Sequence, residues 1–198
     1  RIEFLKMNFL FIKFFLKEIK WNLLYKKLSK IEFLILDVDG VLTDGGLWYK
    51  NDYEILKRFD VKDGLSINLL QEAGIKVVLI SGGESTSAEL RANQLGIKYR
   101  FFKVKNKYKK LKAFQKEKNI PFSKCVYVGD DINDIVVRPL VSLLFTPSNA
   151  VKSLVTVSDL RLKNAGGYGA IRELSERILI SKGLWKNYSK YGWVKTSN

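Results

Sequence analysis

The stretch IEFLILDVDGVLTDG, residues 31–45, carries a nearly continuous apolar run that ends in two aspartates and a glycine. Parallel strands that are covered on both faces have such continuous apolar sequences, so residues 31–38 predict a buried strand. Asp37 and Asp39 lie two residues apart, and in extended chain their side chains point to the same side. Two carboxylates placed in this way repel each other unless a cation lies between them. The motif therefore indicates either a cation-assisted site or, taken alone, a pair of turn-forming aspartates.

The alternation of short apolar runs and amphipathic stretches continues along the chain. The apolar runs predict four more strands, at 75–80, 99–102, 124–128 and 141–145. The stretches between them predict helices at 64–73, 84–95, 107–119 and 131–138, which should end near Gly74, Gly96, Pro121 and Pro139. This order predicts an α/β fold with a doubly wound, mostly parallel sheet and helices on both faces.

Three segments fall outside this alternation. Residues 45–60 contain two β-prone stretches around Asn51-Asp52, which predict a hairpin that projects from the end of the first strand. Residues 1–30 predict an amphipathic helical extension, whose apolar period is formed by Ile12, Leu16, Ile19 and Leu23. Packing of this helix on the domain or on a neighbouring subunit is favoured over attachment to a membrane surface. Residues 182–198 are expected to form a basic tail after a domain at 31–181.

Composition excludes several kinds of chemistry. The 198 residues suit one domain, and the net charge of +15 comes mainly from lysines without a recognisable nucleic-acid motif, so no nucleic-acid partner is expected. The absence of histidine excludes serine and cysteine nucleophiles activated by histidine, and also His-based zinc sites. Cys125 is the only cysteine, lies in an apolar run and is expected to be buried and inert. Carboxylates, lysines, hydroxyls and backbone amides remain for any reaction.

Three other motifs directly follow predicted strands or open the next helix. Ser81-Gly82-Gly83 follows the second strand, where a hydroxyl and free backbone amides at the start of a helix can hold a phosphate. Lys107 opens the helix after the third strand, within a lysine-rich stretch that is otherwise typical of a solvated face. Residues 129–134 read GDDIND and place three carboxylates within five residues after the fourth strand. Because Mg²⁺ takes oxygen ligands, this cluster predicts a magnesium site.

All four motifs should meet, because ligands of open α/β sheets bind at the carboxyl ends of the strands. Asp37 can then attack phosphorus, while Asp39 handles the proton of the leaving group. Mg²⁺, Lys107 and the donors of Ser81 and Gly82 would surround the phosphoryl oxygens. The sequence therefore predicts a magnesium-dependent phosphatase that acts on a small phosphorylated metabolite through an aspartyl-phosphate.

In residue type and order, these motifs resemble those of the haloacid-dehalogenase-like phosphatases. Within that family, residues 31–181 look like the subfamily of 3-deoxy-D-manno-octulosonate 8-phosphate (Kdo 8-phosphate) phosphatases. The stretches that carry this resemblance are 37–45, 59–64, 91–97, 104–107, 126–134 and 166–173. The last of them, GGYGAIRE, narrows the resemblance to the subfamily.

The resemblance implies a role for each motif residue. Asp37 would be the nucleophile and a magnesium ligand, and Asp39 the acid and base, which binds magnesium through its backbone carbonyl. Asp130 would be the third protein ligand, with Asp131 and Asp134 in support.

The resemblance also implies features beyond the reaction centre. It implies a capless, Rossmann-like domain in a homotetramer, with the 45–60 hairpin closing a neighbour's site. Lys62, Asp63 and Gly64 would contact the substrate. The product would be a sugar acid on the route to lipopolysaccharide, made by a cytoplasmic enzyme.

One departure from the subfamily leaves alternatives open. The subfamily usually has Ser/Thr-Gly-Arg after the second strand, whereas residues 81–84 read SGGE. Without that guanidinium, a nonulosonate (sialic-acid-type) 9-phosphate is an alternative substrate. A catalytically silent binding or assembly module is an alternative of another class, against which Asp37, Asp39, Lys107 and Asp130 argue. A membrane-associated basic protein would rest on residues 1–30 alone.

Overall fold

The computed structural model describes residues 15, 18–50, 55–83 and 86–194. Six strands form one sheet in the order β5-β4-β1-β6-β7-β8, and each pairs in parallel with its neighbours. Their bounds are Phe33–Leu36 for β1, Lys76–Ile80 for β4, Tyr99–Phe101 for β5, Cys125–Val128 for β6, Leu143–Thr146 for β7 and Leu160–Arg161 for β8. The predicted doubly wound α/β fold is confirmed, and each predicted strand overlaps an observed one.

Helices lie between and after the strands. The described residues 18–28 form α1. The others are α2 Val61–Glu72, α3 Thr86–Gln94, α4 Lys107–Glu117, α5 Lys152–Val157, α6 Ala170–Ser181 and α7 Trp185–Tyr191, with short 3₁₀ helices at Phe122–Lys124 and Ile132–Leu140. The predicted helix at 131–138 is therefore a 3₁₀ helix, and Pro139 lies inside its last turn instead of after it. The helix ends one residue later, at Leu140.

Two apolar layers cover the sheet. Successive residues of a strand point to opposite faces, so Leu34 and Leu36 join one core cluster while Phe33 and Ile35 join the other. Strand β1 lies between β4 and β6 near the centre of the sheet. Its carboxyl end therefore places Asp37 in the middle of the functional edge.

The predicted hairpin is present as two short antiparallel strands, β2 Trp48–Tyr49 and β3 Ile55–Leu56. Trp48 and Tyr49 are 68% and 70% exposed in the single chain. The return segment at residues 57–60 joins β3 to α2, and its Phe59 pairs as an isolated bridge with Thr43 of the loop after β1. The hairpin is thus anchored to the functional edge of the sheet.

In the single chain, the N-terminal helix does not pack on the domain through the face that carries the predicted apolar period. Ile19 and Leu23, assigned to the apolar period, are 40% and 75% exposed, whereas Trp21 and Leu28 are buried. Trp21 stacks on Phe145 of β7 with ring centroids 5.5 Å apart, so its large ring sets the rotation of the helix. Ile12 and Leu16 lie outside the described residues.

The segment after α6 packs on the domain as far as it is described. Leu184, Trp185, Tyr188 and Trp193 contact the larger core cluster. The indole of Trp193 donates to Glu72 Oε2 at 2.6 Å. This part of the predicted basic tail is therefore docked on the domain. No helix in the described part of the chain has the length and apolar character to cross a bilayer.

Candidate active site

The loop after β1 forms a tight turn that is held by its own backbone hydrogen bonds. The Asp37 N–H donates to Val128 O of β6 at 3.0 Å, which continues the sheet pairing by one residue. The N–H groups of Val41, Leu42 and Thr43 then all point to Val38 O, at 2.9–3.3 Å. Because the chain reverses within so few residues, the side chain of Asp37 is fixed at the strand end.

Gly40 allows the second acidic motif to approach this loop. Its φ of +75° favours glycine, and a Cβ at this position would lie 2.0 Å from Asp130 Oδ2. The carboxylate of Asp130 therefore lies directly over the Gly40 backbone. The loops after β1 and β6 meet at this point, as their shared strand edge predicts.

A buried lysine joins the two loops. Lys107 Nζ lies 2.7 Å from Asp37 Oδ2 and 2.6 Å from Asp134 Oδ1, and all three side chains are almost fully buried. Burial disfavours the charged form of Lys107, but the two carboxylates outweigh it and raise the pKa of this lysine. Lys107 is therefore a fixed cation beside the proposed nucleophile, and not part of a solvated face.

Asp134 is the residue that organises this network. Its Oδ1 accepts from Lys107 and from the Tyr127 hydroxyl at 2.6 Å, and its Oδ2 accepts from the N–H groups of Asp130 and Asp131. A side chain at Gly129 would collide with this carboxylate, since a Cβ there would lie 2.3 Å from Asp134 Oδ2. Both oxygens of Asp134 are thus committed to positioning the site.

Tyr127 is a site residue that the sequence analysis missed. It is fully buried within β6, and its hydroxyl donates to Asp134. A buried tyrosine needs a partner for its hydroxyl, so a tyrosine two residues before an acidic strand-end motif was a usable signal. Asp131, in contrast, is exposed and caps the 3₁₀ helix, with Asp134 completing the capping box.

Crowding of carboxylates changes their proton affinity. Burial, and then the nearby Asp134, raise the pKa of Asp37 to about 6, with Lys107 opposing the shift. Burial, and then the charges of Asp37 and Asp134, raise the pKa of Asp130 to about 7. A divalent cation at this point would relieve the repulsion between these groups.

The donor set suits such a cation. Carboxylate oxygens from Asp37, Asp130 and Asp134 lie within 4.8 Å of one another. Each oxygen of Asp134 already accepts from two donors, whereas each oxygen of Asp37 accepts from one, so Asp37 and Asp130 have more room to bind a metal. Oxygen donors that leave room for waters are what Mg²⁺ selects.

The predicted phosphate turn follows β4, the neighbour of β1. Ser81 is buried, and its Oγ accepts from the Gly83 N–H at 3.2 Å, while Gly82 is exposed. A Cβ at Gly83 would lie 3.1 Å from Asp39 Oδ2 and 3.7 Å from Ser81 Oγ. Ser81 and Asp39 therefore flank the same glycine, which brings the phosphate turn to the acid–base candidate.

Asp39 is held by a lysine that the sequence analysis did not single out. Lys57 Nζ, from the return segment of the hairpin, lies 2.7 Å from Asp39 Oδ1 and 2.9 Å from Oδ2. No signal in the sequence connects residue 57 with residue 39, because the contact depends on the path of the hairpin.

Comparison of the sequence with known proteins identifies the family. The profile of the haloacid dehalogenase-like hydrolases matches residues 52–137. The 3-deoxy-D-manno-octulosonate 8-phosphate phosphatase KdsC of Haemophilus influenzae is 37% identical over 158 residues, which is 80% of this chain and 88% of that protein. Its Escherichia coli K12 counterpart is 35% identical over 157 residues, 79% of this chain and 84% of that one. The chain belongs to the haloacid dehalogenase-like hydrolases.

Solved structures agree with this assignment. The Moraxella catarrhalis 3-deoxy-D-manno-octulosonate 8-phosphate phosphatase, solved with a magnesium ion, a phosphate ion and a KDO molecule, superimposes with a TM-score of 0.82. It is 32% identical and covers 85% of this chain and 97% of its own. The cobalt-bound H. influenzae phosphatase gives a TM-score of 0.79 at 35% identity, with 83% and 96% covered. This haloacid dehalogenase-like hydrolase is therefore a phosphatase.

The glycine motif at residues 166–173 braces the catalytic loop of the phosphatase. A Cβ at Gly166 would lie 1.7 Å from Gly40 O, and one at Gly167 would lie 2.4 Å from Asp44 N. The Gly167 N–H also donates to Val41 O at 3.1 Å. The sequence analysis used these glycines only for the resemblance, and the structure shows that they permit backbone-to-backbone contact with the loop after β1.

The expected substrate contacts at residues 62–64 are placed differently. Asp63 is buried, and its carboxylate accepts from the N–H groups of Gly169 and Arg172 at the start of α6. Gly64 packs against α3, where a Cβ would lie 2.1 Å from Arg91 Nη2. Asp63 and Gly64 thus serve helix packing, since their side-chain positions are already filled. Lys62 is exposed, and its role stays a prediction.

Proposed function

We propose that this phosphatase hydrolyses Kdo 8-phosphate to Kdo and inorganic phosphate, with Mg²⁺ and through an aspartyl-phosphate on Asp37. The observation that carries the substrate is the match along 158 residues to enzymes of that name. The buried network around Lys107 supports the mechanism, because it holds a cation beside a carboxylate that is fixed at the strand end. A cytoplasmic setting on the route to lipopolysaccharide is the part of the proposal that rests on resemblance.

In the first step, an oxygen of Asp37 bonds to phosphorus and the bond to the sugar oxygen breaks. Asp39 gives its proton to that leaving oxygen, so that an alcohol departs and not an alkoxide. In the second step, water attacks phosphorus, the bond to Asp37 breaks, and the proton of the water returns to Asp39. The second step returns the proton to Asp39 and frees the carboxylate of Asp37, so both aspartates are regenerated.

The other residues of the site stabilise charge and hold geometry. Lys107, the Ser81 hydroxyl and the Gly82 N–H would stabilise the charge that gathers on the phosphoryl oxygens, because the N–H groups of Ser81 and Gly83 already donate to Phe101 O and Ser81 Oγ. Asp37 and Asp130 would hold Mg²⁺, with the backbone carbonyl of Asp39 as a further ligand. When bound, the cation supplies charge neutralisation at the phosphoryl oxygens. Asp134 and Tyr127 keep Lys107 in place.

A panel of phosphate esters tests the substrate. With Mg²⁺ present, the enzyme should show its highest kcat/KM on Kdo 8-phosphate and should lose activity in EDTA. The absence of a guanidinium at Gly83 keeps nonulosonate 9-phosphates as the second candidate, so they belong in the same panel. A higher kcat/KM on a nonulosonate 9-phosphate would reassign the substrate, and full activity in EDTA would refute the metal.

We also propose that the phosphatase assembles as a homotetramer through its hairpin. Leu47, Trp48, Tyr49 and Leu56 expose apolar surface that an isolated two-stranded ribbon does not keep stable in water. Packing between subunits would cover this surface and let the hairpin wall a neighbour's site.

Light scattering tests this assembly. Trp48→Ser should weaken it and should lower activity on Kdo 8-phosphate more than on p-nitrophenyl phosphate. Phe122→Ser removes an exposed aromatic ring of a different surface and serves as the control. A fully active wild-type monomer would refute both the tetramer and the role of the hairpin.

A further inference from the structure

The return segment of the hairpin reaches the reaction centre through the side chain of Lys57. This side chain is 3% exposed, while that of its partner Asp39 is 35% exposed. A buried ammonium needs a compensating charge, and Asp39 is the one that the described residues supply. Because Lys57 lies on the interior side of the pair, it fixes the carboxylate while leaving it accessible to a substrate.

The backbone that carries Lys57 is anchored on both sides. Just before it, the carbonyl of Ile55 accepts from Ser87 Oγ of α3 at 2.7 Å. Just after it, Arg58 Nη1 donates to Gly167 O at 2.6 Å, and Phe59 forms the bridge to Thr43. Lys57 therefore reaches Asp39 from a segment whose position is already determined by three other parts of the molecule.

Gly83 leaves the space in which this ion pair lies. A Cβ there would lie 3.1 Å from Asp39 Oδ2 and 3.8 Å from Lys57 Nζ. The first of these contacts is tight for a methyl group, and it shows how closely the backbone of the phosphate turn approaches the carboxylate. The phosphate turn and the hairpin thus both lie against Asp39.

We propose that Lys57 is the residue that positions Asp39 for proton transfer. The inference rests on the two-step mechanism proposed above. Lys57 Nζ lies closest to Oδ1, which is buried, so Oδ2, the oxygen beside Gly83, carries the proton to the leaving oxygen and later takes one from water. The two contacts of 2.7 and 2.9 Å show that the ammonium lies within reach of both oxygens. Loss of Lys57 leaves the carboxylate free to rotate, and misplacement of a catalytic group by about 1 Å can cost ~10²-fold in rate.

Leaving groups that differ in their need for a proton give the decisive test. The value of kcat/KM reports the steps up to departure of the leaving group, so it isolates the proton that Asp39 donates. Lys57→Met should lower kcat/KM on Kdo 8-phosphate by about 10-fold or more. The upper limit of this loss is the ~10²–10⁴ that acid–base catalysis contributes in total. On p-nitrophenyl phosphate, whose phenolate leaves without protonation, the loss should stay below about 3-fold.

Two further variants separate positioning from a general structural effect. Lys57→Arg should restore most of the lost kcat/KM, because it keeps a cation on the same segment. Lys76→Met is the matched control, since this lysine lies at the opposite end of β4 above the Phe33 ring. Circular dichroism should show the same fold for every variant.

The outcomes separate this inference from the proposed function. Equal losses on both substrates, or no loss on either, would overturn the role of Lys57 even if the wild type behaves as proposed. An active Asp37→Asn enzyme would instead overturn the aspartyl-phosphate. If the wild type prefers another alkyl phosphate of the panel, that ester replaces Kdo 8-phosphate in the comparison.

Discussion

Asp37 and Asp63 are both buried aspartates whose pKa is raised to about 6, and burial is the largest cause in each case. Their surroundings differ. Asp37 shares its space with the carboxylate of Asp134 and the ammonium of Lys107. Asp63 accepts mainly from backbone N–H groups at the start of α6, far along the chain. One lies in a site of crowded charges, and the other joins two helices.

The difference shows that a raised pKa does not by itself mark a reactive group. The backbone donors at Asp63 are fixed and satisfied, and nothing further is needed there. At Asp37 the like charges of Asp130 and Asp134 are only partly offset by Lys107, which leaves an excess of negative charge that a divalent cation can neutralise. Function follows from unsatisfied charge that a ligand can reach, and stability from satisfied hydrogen bonds.

The largest expected effect is at Asp37. Asp37→Asn removes the attacking oxygen but keeps the shape, so turnover should fall by about 10⁴-fold or more, as for other nucleophile variants. Its thermal unfolding midpoint should not fall, because the substitution also removes repulsion from Asp134. Phosphate release and differential scanning fluorimetry measure the two quantities. More than a trace of magnesium-dependent activity in this variant would refute the nucleophile.

Asp130→Ala should lower the phosphatase activity less than Asp37→Asn does. Asp130→Ala removes one proposed metal ligand while Asp37 stays, so kcat/KM should drop by about 10²-fold or more at fixed Mg²⁺. Raising the Mg²⁺ concentration should recover part of the activity, which a titration of rate against Mg²⁺ would show. Unchanged activity at low Mg²⁺ would remove Asp130 from the ligand set.

The elements around Asp37 could be predicted because they depend on local sequence. Apolar runs identified five of the six strands of the sheet, and strand ends placed Asp37, Ser81, Lys107 and Asp130 at one edge. Strand β8 was not predicted, because Leu160–Arg161 is two residues long and its pairing depends on β7. The packing of α1 on the domain through Trp21 was not predicted, because its stack on Phe145 is a tertiary contact.

The role of Asp63 could not be predicted either, because it also depends on a tertiary contact. Its carboxylate meets Gly169 and Arg172 more than a hundred residues later in the chain. Position next to Lys62 and Gly64 in a recognisable motif indicated substrate contact. Only the packing of α2 against α6 shows that the carboxylate acts as a cap.

Asp63 should affect stability and leave chemistry largely intact. Asp63→Ala leaves the Gly169 and Arg172 N–H groups buried without a partner, which should lower the free energy of unfolding by about 1–3 kcal/mol. The kcat per folded molecule should change by less than about 3-fold. Urea denaturation measures the first. Glu117→Ala, which removes an exposed carboxylate, is the control and should leave the urea midpoint unchanged. A loss of kcat like that of Asp37→Asn would place Asp63 in the reaction after all.

The smallest effect is the pH dependence that Asp63 contributes. Because its folded pKa of about 6 lies above the ordinary 3.8, the folded state binds this proton more tightly than the unfolded chain does. The resulting stabilisation is complete below about pH 4 and is lost as the pH rises through about 6. Asp63→Asn does not titrate, so the stability of the wild type relative to this variant should increase from pH 7 to pH 4, by no more than about 3 kcal/mol. Subtracting the two urea curves at each pH cancels the titration of all other groups. If the difference instead shrank toward acid, the two backbone N–H donors would outweigh burial, and the folded pKa of Asp63 would lie below its ordinary value.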